Sequence, residues 1–474
     1  MGRKTKFKIL SLLYLFFQIQ PLYSALHQAE AGGIGKYQCS ASITVERAYD
    51  DNVLLTHNKR EGSYISMISP SLSLTKTGKK IDMSLHYDAY LTLYDRYSHQ
   101  DQRNHTGTFS IGIKPVNAVS MGIRGQDTYS STKRDERKPS LADNTIKFND
   151  FSITPYIEQK LSQDLGITLS YTFTEKKYQQ KEDKDLEDST TYRGAANIQW
   201  KLSGCFSLDG GYTYTFNDFM RTTPDESEQE TGVGFTLNRE SKIRVRGKYG
   251  YVWKEDDAGQ RNNRPTMSST VDLYPWRGTT VVAAYAESST YSSSHDAKND
   301  SFISHDASLI IRHDLLSRKI TVQYGGTYNL SDYDSVDRVD KSYQGTVHIG
   351  WEMFTPLVLF LDGSCGKSWY THDLTQRKDT SCGGGGGLEL RISRSTTFTL
   401  HGNYTKTYYQ PDSHQVELYD GNVKLAYHIN KRILFEAGYR YLESGSNDRE
   451  RQNYEEDKNT YLSKRWIAGL RAAF

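Results

Sequence analysis

The sequence predicts an all-β fold: a transmembrane antiparallel up-and-down β-barrel of about 22 strands, with 18 or 20 strands as the alternatives. Three observations predict it. The N-terminus is basic and then apolar, long segments alternate apolar and polar residues with a period of two, and tight turns recur at regular spacing. Mean hydropathy is low, which a barrel tolerates because only every second residue of a strand faces lipid.

The N-terminus has the layout of a secretory signal peptide. Four basic residues lie within the first eight positions, and the apolar run ILSLLYLFFQI follows, with small residues after it. The run is too short for a membrane-spanning helix, which needs about 20 apolar residues. We therefore predict a signal peptide in residues 1–31, cleaved after Ser24 or Ala31, and an exported outer-membrane β-barrel in residues 32–474.

The alternation is clearest in the segment IDMSLHYDAYLTLY. One face carries aliphatic side chains such as Met83 and Leu85, and the other carries Asp82, His86 and Asp88. A strand of a soluble protein usually has about five or six residues, and this segment is more than twice as long. The chain also contains 35 Tyr and 6 Trp, which suit the aromatic belts at a membrane interface. Length and alternation together favour a membrane-spanning strand.

Short turns and polar loops alternate along the chain. Tight turns are predicted near positions 78, 116, 163, 203, 240, 276, 316, 355, 394 and 430. Short turns on one rim and longer polar loops on the other are typical of outer-membrane barrels, in which the short turns are periplasmic. Ten turns join about twenty strands, and one further strand at each end makes about 22. The first strand and TGVGFTLN are the least certain, which leaves 18 or 20 strands open.

The segment RWIAGLRAAF is predicted to be the closing strand. Its apolar face carries Trp466, Leu470 and Phe474. A terminal aromatic with apolar residues at alternate upstream positions resembles the C-terminal pattern by which outer-membrane barrels are recognised for assembly. We therefore expect the barrel assembly machinery and outer-membrane lipid as partners, in the outer membrane of a Gram-negative type of cell.

A closer resemblance lies near the start of the chain, in AYDDNVLL, YISMISPSLSLTKTGKKIDMSLHYDAYLTLY and NHTGTFSIGIKP. These segments resemble the outer-membrane β-barrel porin family that is associated with exopolysaccharide or capsule systems. The matching positions are Asp51, Asn52, Ser69, Pro70, Ser71, Leu72, Leu74, Tyr87 and Tyr94. The resemblance covers roughly residues 37–115 and implies an outer-membrane channel, linked to exopolysaccharide export. It implies no catalytic residue and no cofactor.

Strand parity predicts the residues that line the pore. They are Asp82, His86, Asp88, Arg124, Arg246, Lys248, Lys424, Arg440 and Arg465. Basic residues outnumber the acids found on these faces, and an excess of one sign enriches the opposite ion in a pore. We therefore expect an anion-preferring channel for small anionic or saccharide solutes. The net charge of +2 implies no nucleic-acid partner, and the oligomeric state is left open.

Two other classes of function compete with a channel. An outer-membrane enzyme of the phospholipase or protease type would need a nucleophile and a base close together, and the best local cluster is His86 with Asp82 and Asp88. A polar lumen lining explains that cluster more simply. The other class is a structural or adhesive barrel, whose activity would lie in the loops. We find no metal-ligand spacing and no catalytic constellation in the sequence.

Two further expectations concern the interior and the cysteines. Few residues separate the signal peptide from the first strand, so we expect no plug domain and predict that a long loop, 130–147 or 254–265, folds inward. Cys365 and Cys382 flank a predicted hairpin symmetrically and share a face, which allows a disulfide in an oxidising compartment. The alternative is two unpaired thiols, because directly opposed strand positions strain the bridge.

Overall fold

Twenty-two antiparallel strands form one closed sheet in the computed structural model. The structure describes residues 36–53, 60–133, 145–179, 187–220, 225–239, 242–257, 259, 261–292, 300–333, 338–372, 375–410, 414–446 and 461–473. The predicted signal peptide and Phe474 lie outside these residues. No helix within them is long and apolar enough to cross a membrane.

The strands run in chain order around the barrel. The first eleven are β1 Lys36–Asp50, β2 Ser63–Thr77, β3 Ile81–Tyr94, β4 Gln102–Val116, β5 Val119–Lys133, β6 Thr145–Lys160, β7 Leu165–Tyr178, β8 Ser189–Lys201, β9 Phe206–Phe219, β10 Glu226–Arg239 and β11 Ile243–Asp256. The others are β12 Arg261–Leu273, β13 Thr279–Ser292, β14 Asp300–Leu315, β15 Ile320–Tyr333, β16 Arg338–Phe354, β17 Leu357–His372, β18 Thr375–Arg391, β19 Thr396–Gln410, β20 His414–His428, β21 Ile433–Ser446 and β22 Tyr461–Ala473. The predicted number of about 22 strands is confirmed, including the two uncertain segments, which are β1 and part of β10.

The barrel closes where β1 pairs with β22, a junction that we call the seam. Its register runs from Ser42 opposite Ala473 to Asp50 opposite Arg465. Every other strand pairs with its two neighbours in sequence. Full closure satisfies the backbone groups that an open sheet would expose to lipid, where no water is present to bond them.

Two rims differ in the length of their connections. At the turn rim, which holds the start of β1 and the end of β22, connections of two to five residues lie at the ten predicted turn positions. The opposite, loop rim has connections of two to fourteen residues, with a short 3-10 helix, Ser98–Gln100, between β3 and β4. Several segments expected to be loops are strand instead. Residues 254–256 belong to β11 and residues 261–265 to β12, because strands extend past the apolar belt into polar sequence.

Side chains alternate between an outer and an inner face of the wall. On β3 the outer face carries Ile81, Met83 and Leu85, each about two-fifths exposed. Register continues this face through Ile113 and Ile111 on β4, and polar side chains occupy the other face. Exposed aliphatic residues in such numbers suit contact with hydrocarbon, so the aliphatic face is the outer one.

Glycine at one inner position allows two aromatic rings to meet. In β18 the run CGGGGG places Gly387 between Phe360 of β17 and His401 of β19. A Cβ atom at Gly387 would lie 2.5 Å from the Phe360 ring. Because this position has no side chain, the Phe360 ring reaches across it and stacks on His401, with 5.7 Å between ring centroids. The close approach at Gly387 is therefore made by the ring of a neighbouring strand.

Candidate functional site: the charged inner wall

The inner wall between β10 and β12 carries basic residues beside acidic ones. The Lys248 ammonium lies 2.6 Å from the Glu230 carboxylate, and its side chain passes over Gly232, where a Cβ atom would meet Lys248 Cε at 3.0 Å. The Arg246 guanidinium lies 3.5 Å from the Asp272 carboxylate on the adjacent strand. Both predicted pore residues therefore have a carboxylate partner on the same face.

The same pairing recurs between β20 and β21. Lys424 lies 2.6 Å from Glu436, and Arg440 contacts both carboxylate oxygens of Asp420 at 3.0 and 2.8 Å. Each pair joins diagonal neighbours across two strands, which are within reach of long side chains. These side chains are between one-fifth and one-half exposed, so the pairs lie at the surface of the lumen.

Other predicted pore residues also lie beside an opposite charge. Arg124 is 3.9 Å from Glu158 and stacks over the Tyr156 ring at 4.3 Å. Asp82 pairs with Lys114 at 2.6 Å. Further inner pairs described in the barrel are Lys254–Glu226, Arg312–Asp314, Arg338–Asp340, Arg377–Asp379 and Arg391–Glu389.

The predicted excess of basic charge on the inner wall is wrong. The acids that offset it are Asp50, Glu158, Glu230, Asp272 and Asp420, which the count from parity had missed. Several of these acids lie near strand ends or on the strand next to the basic residue. The alternation within a single strand therefore does not reveal that they are partners of the basic residues. The basic residues predicted to line the lumen therefore lie beside acids of the same wall.

A polar recess lies in the inner wall formed by β6 to β11. It has a volume of about 560 Å³, and its lining includes Arg193, Asn197, Asp209, Glu230 and Lys248. Charged, amide and hydroxyl groups line the recess and provide both hydrogen-bond donors and acceptors. Such a surface can bind the hydroxyl groups of a solute without selecting a charge.

The histidine cluster considered for an enzyme is a simple pair. His86 Nε2 lies 2.6 Å from Asp88 Oδ2, and both side chains are open to the lumen. Asp82, the other predicted member, bonds Lys114 and the Gly78 backbone N–H. No hydroxyl nucleophile bonds His86 among the described residues, and no group of three or more metal-binding side chains occurs within them. The cluster therefore forms part of the charged wall.

The seam carries a buried polar network on its inner face. The Asp50 side chain is 1% exposed, and its carboxylate accepts two hydrogen bonds from Arg465, at 2.9 and 2.6 Å. Ser463 Oγ and the Asn52 backbone N–H donate to its other oxygen at 2.8 and 3.0 Å. Asn52 is fully buried and donates its amide to the Leu462 carbonyl at 2.9 Å. This network ties the segment after β1 to the last strand.

The first segment of the β1–β2 connection packs against the inner wall. Val53 is 7% exposed and forms an apolar cluster with Ala48 and Ile65, and Met67 and Ile467 pack around it. The inward-folded element described by the structure is thus residues 51–53. The alternative predicted for 254–265 is wrong, because most of that segment is strand, and residues 134–144 of the other loop lie outside the described residues.

The other predicted residues lie on the outer face. Trp466 and Leu470 are 61% and 46% exposed there, and Trp466 packs on Tyr439 with 4.4 Å between ring centroids. Their role as an assembly signal stays a prediction. Cys365 and Cys382 lie opposite each other on β17 and β18 and form a disulfide on the outer face.

The disulfide gives a direct labelling prediction. In denaturant without reductant, a thiol reagent should modify two cysteines, Cys39 and Cys205, because a bridge formed in the oxidising compartment protects Cys365 and Cys382. Reduction before labelling should raise the number to four. Intact-protein mass spectrometry measures both numbers, and four modified cysteines without reductant would show that the bridge does not form.

Comparison with known proteins supports an outer-membrane barrel. No family model matches, so the resemblance to the exopolysaccharide-associated porins is not confirmed. One curated relative, outer membrane protein YfaZ of Escherichia coli strain K12, is 33% identical over 108 residues. That match covers 22% of this chain and 57% of the relative, so the chain spans little more than half of it.

Solved barrels share the fold at low sequence identity. The FrpB iron transporter of Neisseria meningitidis, in its apoprotein form, has a TM-score of 0.65 at 9% identity, with 92% of this chain and 81% of that chain covered. The siderophore receptor PirA of Pseudomonas aeruginosa has a TM-score of 0.60 at 9% identity, covering 93% and 81%. At this identity the likeness shows the fold alone. The predicted barrel fold and outer-membrane location are confirmed.

Proposed function

We propose that this barrel is a passive outer-membrane channel for hydrophilic, saccharide-like solutes. The observation that carries the proposal is the inner wall, on which the predicted basic pore residues have carboxylate partners. A pore field depends on the net charge of its lining, and paired charges of opposite sign largely cancel at the distance of a passing ion. Such a wall does not select solutes by the sign of their charge.

The chemistry of the wall also suits sugars. Ionised donors and acceptors alternate with hydroxyl and amide groups in the recess between β6 and β11, so a solute with many hydroxyl groups exchanges water for protein partners as it moves. Multiple weak sites allow both entry and release, which a channel needs. A wall without an excess of basic residues gives no reason to expect selection of anions.

Uptake by proteoliposomes tests this function. Vesicles containing the purified barrel should take up glucose, glucosamine and glucuronate at similar rates, since one is neutral, one cationic and one anionic at nearly the same size. Protein-free vesicles of the same lipid are the control. A strong preference for glucuronate would show that the pore selects anions. Uptake no faster than in protein-free vesicles would refute a channel.

A further inference from the structure

Four lysines cluster on the outer face of β16 to β19, near the loop rim. Lys341, Trp369 and Lys378 lie opposite one another on three adjacent strands, and Lys367 lies in the next row of residues. Lys406 follows one row further, on β19. Since paired Cα atoms are about 5 Å apart, Lys341 and Lys378 are separated by roughly 10 Å. We call Lys341, Lys367 and Lys378 the lysine cluster.

The lysine cluster has no carboxylate partner in the part of the chain that the structure describes. Lys406 pairs with Glu417 at 2.7 Å, but no described carboxylate lies within 4.0 Å of the three cluster lysines. Other outward basic residues near the loop rim do have acids, as in the pairs Arg47–Asp95, Lys177–Glu175 and Arg261–Glu255. By register, the nearest other outward acid is Asp332, opposite Val339 on β16. Among the residues that the structure describes, the local charge is therefore positive.

The cluster lies at the boundary between hydrocarbon and headgroups. On the same strands the aliphatic residues Val347, Ile349 and Leu361 lie further toward the turn rim. Trp369 lies in the row of Lys341 and Lys378, and Tyr343 lies in the row of Lys367. The two ring centroids are 5.1 Å apart, and the Lys367 ammonium is 5.2 Å from the Trp369 ring centre. Aromatic rings of this kind mark the interfacial level of a membrane protein. The lysines thus meet the headgroup layer of the outer leaflet.

An apolar groove continues from the cluster toward the middle of the wall. Gly345 lies four residues along β16 from Lys341, and Gly363 lies four residues along β17 from Lys367. These glycines leave a groove of about 580 Å³ on the outer face, lined also by Tyr324, Gly326, Val347 and Cys365. A Cβ atom at Gly345 would find no atom closer than 3.9 Å, so the space above it is open.

We propose that this surface binds one phosphorylated acidic lipid of the outer leaflet, of the lipid A class. The three ammonium groups would hold the headgroup phosphates through charge-assisted hydrogen bonds. One acyl chain of the lipid would lie in the apolar groove, where it would bury the apolar side chains that line it. The combination of a cationic cluster at headgroup level and an apolar groove directly beneath it fits an anionic lipid. The proposal is independent of what passes through the lumen.

Native mass spectrometry of the purified barrel tests the headgroup contact. We expect bisphosphorylated lipid A to remain bound, and lipid A without phosphates to bind much more weakly. The triple change Lys341→Gln, Lys367→Gln and Lys378→Gln should weaken retention at least ~tenfold, because it removes every proposed phosphate partner. The matched control is Arg103→Gln, Lys177→Gln and Arg261→Gln, which removes three outward charges of the same rim and should leave retention unchanged.

A second variant tests the chain contact. Gly345→Leu places a side chain in the groove at a position where its Cβ atom meets no atom closer than 3.9 Å, and it should reduce lipid A retention while the lysine cluster is intact. Heat-modifiable migration on a gel verifies that each variant keeps the barrel. Equal losses in the triple variant and its matched control, or equal retention of lipid A with and without phosphates, would overturn the proposal. Displacement of the lipid by inorganic phosphate alone would also overturn it, since the site would then be a free-anion site.

Discussion

Asp50→Ala should lower the free energy of unfolding of the barrel by about 3 kcal/mol, the largest stability effect that we expect from one substitution. The change leaves Arg465, Ser463 and the Asn52 N–H without the acceptor that they share. Asp50, Asn52 and Ser463 are buried, at 1%, 0% and 5% exposed, and the Arg465 side chain is about one-third exposed. Urea unfolding of the barrel in lipid vesicles, followed by Trp fluorescence, measures the loss.

Asp420→Ala is the matched control. It removes the same type of contact, two hydrogen bonds from Arg440, but both side chains are open to the lumen. Exposed ion pairs contribute about 0–1 kcal/mol, so this variant should unfold close to the unchanged protein. If both variants lost equal stability, burial at the seam would have no special role.

Removing two acids from the inner wall should turn a weakly selective pore into an anion-selective one. The double change Glu230→Gln and Asp272→Asn leaves Lys248 and Arg246 without their partners. Charges on a low-dielectric wall create potentials of several kT, which change the ratio of anions to cations in the pore several-fold. In a planar bilayer under a salt gradient, the reversal potential should move from near zero toward the anion value.

The reverse substitution provides the control for sign. Arg246→Gln with Lys248→Gln frees the same two acids, so the reversal potential should move toward the cation value. Glu255→Gln changes an acid on the outer face of β11 and should leave selectivity unchanged. A marked anion preference in the unchanged protein, or no response to either double variant, would contradict the balanced wall.

The fold was predictable because the alternation of apolar and polar residues and the tight turns are set by short stretches of sequence. Each apolar stretch such as Ile81 to Leu93 must face lipid on alternate residues, and each tight turn must reverse the chain. The charge partners were harder, because a pair such as Lys248 with Glu230 depends on register between two strands. A single strand shows which face a residue is on, but it does not show which residue lies diagonally across.

The positions of the strand ends and the packing inside the barrel also could not be predicted from the pattern of a single strand. Lys254 and Glu255 look like loop residues, yet they lie in β11, because strands outside the hydrocarbon need no apolar residues. The inward packing of Val53 depends on Ile65 and on Ile467 of the last strand. One signal was available: Asp50 ends β1 and Asp51 and Asn52 follow it directly, and short polar side chains at such a position often bond nearby backbone.

The bond between Asp50 and Arg465 has a consequence for folding, because these residues are 415 positions apart in the chain. A contact of such high sequence separation has a large loop-closure entropy, so we expect it to form after the other strands have paired. A slip of β22 by two residues would preserve its faces but place Ser463 or Ile467 opposite Asp50. The shifted barrel would move Arg465 from the position opposite Asp50 to a diagonal one, and it would also displace Ser463 and Leu462 relative to Asp50 and Asn52. The buried network of the seam therefore favours the correct closure over its shifted alternatives.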